Sequence, residues 1–160
     1  MFQAMSGALK RRIKQTTDFD SPAVEAMLNL LVAADFVRKQ LDCLCGKYNL
    51  TNGQYNVLRI LRGVYPEGHP RCEIAARMLE RSPDVTRLVD RLEAGGLAAR
   101  DRASEDRRLA VTRITEKGLR LLEEMQAEAD STDAFLADRI SEKDCLALSR
   151  ICEKIYSEDD

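Results

Sequence analysis

Between residues 71 and 118 the apolar positions change period several times. Val85, Leu88, Val89 and Leu92 fall at i, i+3, i+4 and i+7, one apolar stripe and therefore one buried helix face. Thr86, Arg87, Asp90 and Arg91 remain on the outward face. Ser82 reads as the N-cap, Pro83 as the first helical residue, and Asp84 as a negative charge in the positive first turn. Gly95-Gly96 stops the helix, because a left-handed residue is cheap only for glycine. Before it, Ile74, Ala75, Met78 and Leu79 give a shorter helix an apolar face, and only the link from Leu79 to Ser82 separates the two. After it, residues 98–103 and 107–113 read as two strands around Ser104-Glu105-Asp106. Two helices across a tight link form a helix-turn-helix, whose second helix lies in the DNA major groove. The attached hairpin is a wing, with arginines near its tip for phosphates or the minor groove.

The flanking segments are helical. Ser21-Pro22 opens a long helix in which Val24, Met27, Leu28, Leu31, Phe36, Val37, Leu41 and Leu44 cover more than one stripe, so more than one partner is needed. It is expected to end near Gly46. Thr51 and Gln54 form a capping box for a helix carrying Tyr55, Val57, Leu58 and Leu61, and residues 64–70 read as a loop. Thr115 caps a helix to about Ala137, with Leu119, Leu122 and Met125 on one face. Ser141 and Asp144 open a last helix bearing Leu148, Ile151, Cys152 and Ile155. These two helices are too long and apolar to pack on a small wing alone, which implies a dimer. The expected fold is mainly α with a small two-stranded β wing. Residues 1–20 would be a flexible arm or short helix, 21–50 a dimerisation helix, 51–114 the winged helix-turn-helix, and 115–160 further dimerisation helices.

The stretch SPDVTRLVDRLEAGGLAARDRASEDRRLAVTRITEKG resembles the signature of the MarR (multiple antibiotic resistance regulator) family of winged-helix repressors. The matching features are Thr86-Arg87, the Leu-Glu-x-x-Gly-Leu exit, Asp106-Arg107-Arg108 and the Thr-Glu-Lys-Gly helix start, in order and at family spacing. The resemblance covers roughly residues 21 to 157. It implies DNA contacts from Ser82, Asp84, Thr86, Arg87 and Arg91. It makes Asp106 a wing support that orients an arginine, and sends Arg107 into the minor groove. Alternation along a strand leaves one of Arg107 and Arg108 facing DNA, and Arg107 is the choice. The resemblance further implies a homodimer on a pseudo-palindromic operator, released by a small aromatic or phenolic acid. Arg38, Tyr55 and Arg59 are the candidate ligand residues.

Charge changes the picture once its distribution is considered. The net charge of −2 over 160 residues argues against DNA. Yet residues 1–113 hold 19 Lys and Arg against 14 Asp and Glu, and the remainder is acidic. Every basic residue from 71 to 113 is arginine, suited to phosphate and guanine. No apolar run approaches a membrane span and the N-terminus lacks signal-peptide order, so a cytoplasmic protein is expected. One histidine, no Gly-rich phosphate loop and no nucleophile elbow argue against an enzyme, and no cofactor is expected. His69 and Cys72 are two potential ligands without a third, too few for a metal. Two alternatives stay open. Some MarR relatives sense oxidants through cysteine, which draws attention to Cys43-x-Cys45, although i and i+2 on a helix point apart. A winged helix can also bind protein in place of nucleic acid.

Overall fold

A computed structural model of the chain describes residues 7–80, 84–101 and 110–157. The elements are α1 (Gly7–Ile13), α2 (Pro22–Lys47), α3 (Asn52–Arg62), β1 (His69–Pro70), α4 (Arg71–Arg77), α5 (Val85–Ala94), β2 (Ala98–Arg100), β3 (Val111–Ile114), α6 (Glu116–Ala137) and α7 (Glu142–Tyr156). The chain divides into two compact units, residues 1–42 and 43–160. Among the described residues no helix is long and apolar enough to cross a membrane.

The larger unit is built around α3. The Thr51 hydroxyl accepts from the Gln54 N–H, and the Gln54 side chain accepts from the Thr51 N–H at 2.9 Å, which completes the capping box. Val57, Leu58 and Leu61 are fully buried, together with Ile74 of α4, Leu92 of α5 and Met125 of α6. On α5, Val85, Val89 and Leu92 are buried, while Leu88 is partly buried against the same core, so the stripe read from the sequence faces inward. A Cβ on Gly53 would come within 3.3 Å of Leu88, and the bare glycine leaves that room.

The sheet has three strands in the order β1-β3-β2, one more than the hairpin expected. Ala98 pairs with Ile114 and Arg100 with Thr112, both antiparallel, and on the other side His69 pairs with Thr112. Residues 64–70, read as a loop, therefore include a short edge strand. Gly68 makes it possible: at φ +79°, its absent Cβ would lie 2.2 Å from the Thr112 carbonyl oxygen. A two-residue strand containing proline leaves no alternation to read. Residues 102–109, and with them Asp106, Arg107 and Arg108, lie outside the described residues.

Helix ends differ from expectation in instructive ways. α2 ends at Lys47, one residue past the Gly46 expected, and Asn49 follows at φ 56°. The Leu50 N–H donates to the Cys45 carbonyl and the Asn49 N–H to the Gly46 carbonyl, a Schellman closure with asparagine in the left-handed position. α5 stops the same way: Gly96, at φ 69°, donates to Glu93, and Leu97 donates to Leu92 at 2.9 Å. At its start, the cap is Asp84, whose carboxylate accepts from the Arg87 N–H at 3.0 Å. Ser82, expected in that role, lies outside the described residues with Pro83. α4 ends at Arg77, so Met78 is half-buried while Ala75 and Leu79 face solvent. In the smaller unit, residues 7–13 form a short helix with Leu9 buried.

Candidate nucleic-acid interface

The link between α4 and α5 is anchored from below, since the Leu79 N–H donates to the Asn56 side chain of α3 at 3.0 Å. This ties the stretch that follows α4 to α3. Arg87 is 80% exposed, and its Nε pairs with the Asp84 carboxylate at 2.8 Å. Thr86 is half-buried, and its hydroxyl accepts from the Arg71 guanidinium at 2.9 Å. Arg91 is exposed and has no ion pair among the described residues.

The acids on this face are largely answered by arginines. Arg100 of β2 reaches Asp90 at 2.6 Å and Glu93 at 3.4 Å, while its N–H donates to Glu93. Arg77 pairs with Glu73, and Arg113 with Asp101. Several of the arginines counted in the sequence are therefore engaged within the fold. Exposed pairs of this kind are worth about 0–1 kcal/mol, so a phosphate can replace the carboxylate at little expense. Arg100, with 29% of its side chain exposed and two carboxylates, is the most committed.

The end of α5 is joined to the start of α6. Thr115 donates through its hydroxyl to the Gly96 carbonyl at 2.8 Å and through its N–H to the Leu97 carbonyl at 3.1 Å. Lys117 Nζ donates to the Gly95 carbonyl at 2.8 Å. Gly118 lies against the same corner, where a Cβ would stand 2.4 Å from the Leu97 oxygen. These contacts give the Thr-Glu-Lys-Gly run a physical reason.

Beside this corner is a cleft of about 360 Å³ lined by Tyr48, Leu50, Leu97 and Leu121, with Lys117, Arg120 and Glu124 among its charged groups. The Tyr48 hydroxyl lies 3.2 Å from the Glu128 carboxylate and 3.3 Å from the Glu124 carbonyl. Lys47 also bonds Glu128, and that hydrogen bond is the first cause holding the Glu128 carboxyl below its ordinary range. None of Arg38, Tyr55 and Arg59 lines the cleft. Tyr55 is buried in the core, with the exposed Arg59 guanidinium 5.8 Å from its ring centroid, and Arg38 belongs to the N-terminal unit.

Cys43 is exposed and Cys45 buried, and all five cysteines are free. His69 Nε2 is buried without a hydrogen-bond partner among the described residues. Sequence reasoning missed Asn56, and it missed the partners of Arg71, Arg100 and Lys117, residues it counted among the arginines or within the Thr-Glu-Lys-Gly run. Each acts across 13 or more residues or from a neighbouring strand, where periodicity carries no signal.

No family model matches the chain. The HTH-type transcriptional regulator MhqR of Bacillus subtilis (strain 168) is 32% identical over 110 residues, covering 66% of this chain and 74% of that protein. A MarR transcription factor from Planctomyces limnophilus is 34% identical with a TM-score of 0.67, covering 85% of this chain and 98% of that one. CouR from Rhodococcus jostii RHA1, solved with p-coumaroyl-CoA bound, shares the fold at a TM-score of 0.72 and 22% identity, over 89% of this chain and all of that one. With its helix-turn-helix, its wing strands and these relatives, the chain belongs to the MarR family of winged-helix, DNA-binding transcription regulators.

Proposed function

We propose that this protein is a homodimeric, cytoplasmic repressor of a pseudo-palindromic operator, released by a small aromatic acid. The observation that carries the dimer is α7. No residue of this 15-residue helix is buried, yet Leu146, Leu148, Ile151 and Ile155 are 42–63% exposed. Positions 148, 151 and 155 form a single helical stripe. An apolar stripe of this kind is covered most simply by its own symmetry mate. In α2, Met27 and Leu31 are also more than half exposed. We assign residues 21–50 and 115–160 to dimerisation and 51–114 to DNA.

Each protomer lays α5 in a major groove, with Asp84, Thr86, Arg87 and Arg91 on the groove side; Ser82, outside the described residues, is a further contact that the resemblance implies. Half-sites lie one helical turn, about 10 base pairs, apart. From the wing, outside the described residues, Arg107 is the arginine that the resemblance sends into the minor groove, with Asp106 as its support. The 4-hydroxyphenylacetate bound to NadR, a protein of the same fold, supports an aromatic acid as effector. The cleft of about 360 Å³ falls within the usual range of ligand pockets, about 300–1,000 Å³. With Lys117 and Arg120 for a carboxylate, it is a better-supported seat than Arg38, Tyr55 and Arg59, since Tyr55 is buried.

The test is sedimentation at micromolar concentration together with operator binding against salt. A dimer should sediment, and with about 6–10 phosphate contacts affinity should fall roughly 10³–10⁵-fold between 50 and 200 mM salt. A stable monomer would end the palindromic reading. A flat salt response would favour a protein-binding winged helix.

A further inference from the structure

The outer face of α5 holds a hydrogen bond that neither motif nor resemblance assigns. Arg71, the first residue of α4, extends across the helix-turn-helix, and its Nη1 donates to Thr86 Oγ1 at 2.9 Å. Both side chains lie on the polar side of the motif. Among the described residues this is the only hydrogen bond made by the Thr86 hydroxyl.

The chemistry of the pair is one-sided. A guanidinium only donates, whereas a threonine hydroxyl both donates and accepts. Because Arg71 supplies the proton, the Thr86 O–H must point elsewhere. The nearby positive charge strengthens that O–H as a donor and repels a second donor brought to the same oxygen. Left alone, a threonine hydroxyl on a recognition helix would bond donors and acceptors alike. Held by Arg71, it seeks an acceptor.

We propose that Arg71 is a positioning residue for base readout, which fixes the Thr86 hydroxyl as a donor and so excludes cytosine from the base it faces. Guanine, adenine and thymine each show an acceptor in the major groove, whereas cytosine shows only its amino donor. The inference rests on the reading that α5 lies in the major groove. It goes beyond that reading by giving Arg71 a role and Thr86 a direction.

The test is selection of binding sites from a randomised duplex library, with sequencing, for the full-length wild type, Arg71→Ala, Thr86→Val and the double variant. The wild type should show one position per half-site where cytosine is depleted about tenfold, the weight of one well-made hydrogen bond. Arg71→Ala and Thr86→Val should each readmit cytosine at that position, and the double variant should do no more than either. Melting temperatures should match, because Arg71 is exposed and valine is isosteric with threonine.

Three outcomes overturn the proposal while leaving DNA binding intact. One is even weakening of all sequences by Arg71→Ala, with a salt slope lower by about one per subunit, which marks a phosphate anchor. Another is a change at a position that Thr86→Val does not touch. The third is a wild-type profile with no cytosine-depleted position. If the wild type enriches no sequence, the operator reading fails and the proposal falls with it.

Discussion

Adding one methyl group at Gly118 should destabilise the protein, although alanine is the better helix former. The added Cβ would stand 2.4 Å from the Leu97 carbonyl oxygen and 2.7 Å from Ile114 Cγ1. Ile114 is buried and cannot swing away, and the Leu97 oxygen is held at 3.1 Å by the Thr115 N–H. Relief therefore requires backbone movement. Overpacking of this kind costs about 1–3 kcal/mol, and a weakened backbone hydrogen bond adds about 1 kcal/mol. The helix-propensity gain offsets at most about 1 kcal/mol. The net loss is about 1–3 kcal/mol, and at about 2–4 °C per kcal/mol for a chain of this size Tm should fall by roughly 2–12 °C. Gly46→Ala is the matched control, since nothing lies within 4 Å of its Cβ position. It sits inside α2 and should raise Tm by about 1–4 °C through propensity alone. Thermal melts of both variants and wild type, at one protein concentration because the Tm of an oligomer depends on it, make the comparison. If Gly118→Ala melted at or above wild type, the close approach of α6 to the Leu97 turn would not be a constraint.

Two further expectations concern charged residues. Asp84→Ala should cost about 0.5–2 kcal/mol in urea denaturation, whereas Asp84→Asn keeps the cap, loses only the exposed pair with Arg87, and should stay within about 0.5 kcal/mol of wild type; equal losses would mean that the cap is not what Asp84 contributes. For the effector, benzoate should release operator DNA in a fluorescence anisotropy titration, and Arg120→Gln should raise the half-release concentration about tenfold while Arg59→Gln leaves it unchanged. The reverse pattern would return the ligand to Tyr55 and Arg59.

The elements whose burial follows a period were legible in the sequence. The stripe on α5, the capping box of α3 and the inward face of α6 needed only spacing, because one buried face repeats every 3.6 residues. What escaped was settled by contacts between distant residues. β1 exists because Gly68 lets the loop approach β3, and no local pattern announces that approach. The end of α2 near Gly46 is legible but its closing residue is not, because glycine is the commoner left-handed residue, whereas here Asn49 takes that role and Gly46 remains helical. Counting arginines overstated the available positive charge, since composition cannot reveal that Arg100 is spent on Asp90 and Glu93. Thr86 and Arg87 could be placed on the outward face from sequence, but the Arg71 bond that gives Thr86 a direction could not.

The junction between the recognition helix and α6 has a mechanical consequence. Three successive carbonyls at the end of α5, those of Gly95, Gly96 and Leu97, are taken by donors from Thr115 and Lys117 at the start of α6. Left-handed glycine turns often act as swivels, but this one is bolted on its outer side. Torque applied to α6 is therefore not dissipated at the joint. A helix of 22 residues, about 33 Å long, becomes a lever whose short arm is the reading head. In a symmetric pair, a few degrees of rotation at the far end of that lever would alter the distance between two reading heads that must meet grooves a fixed turn apart.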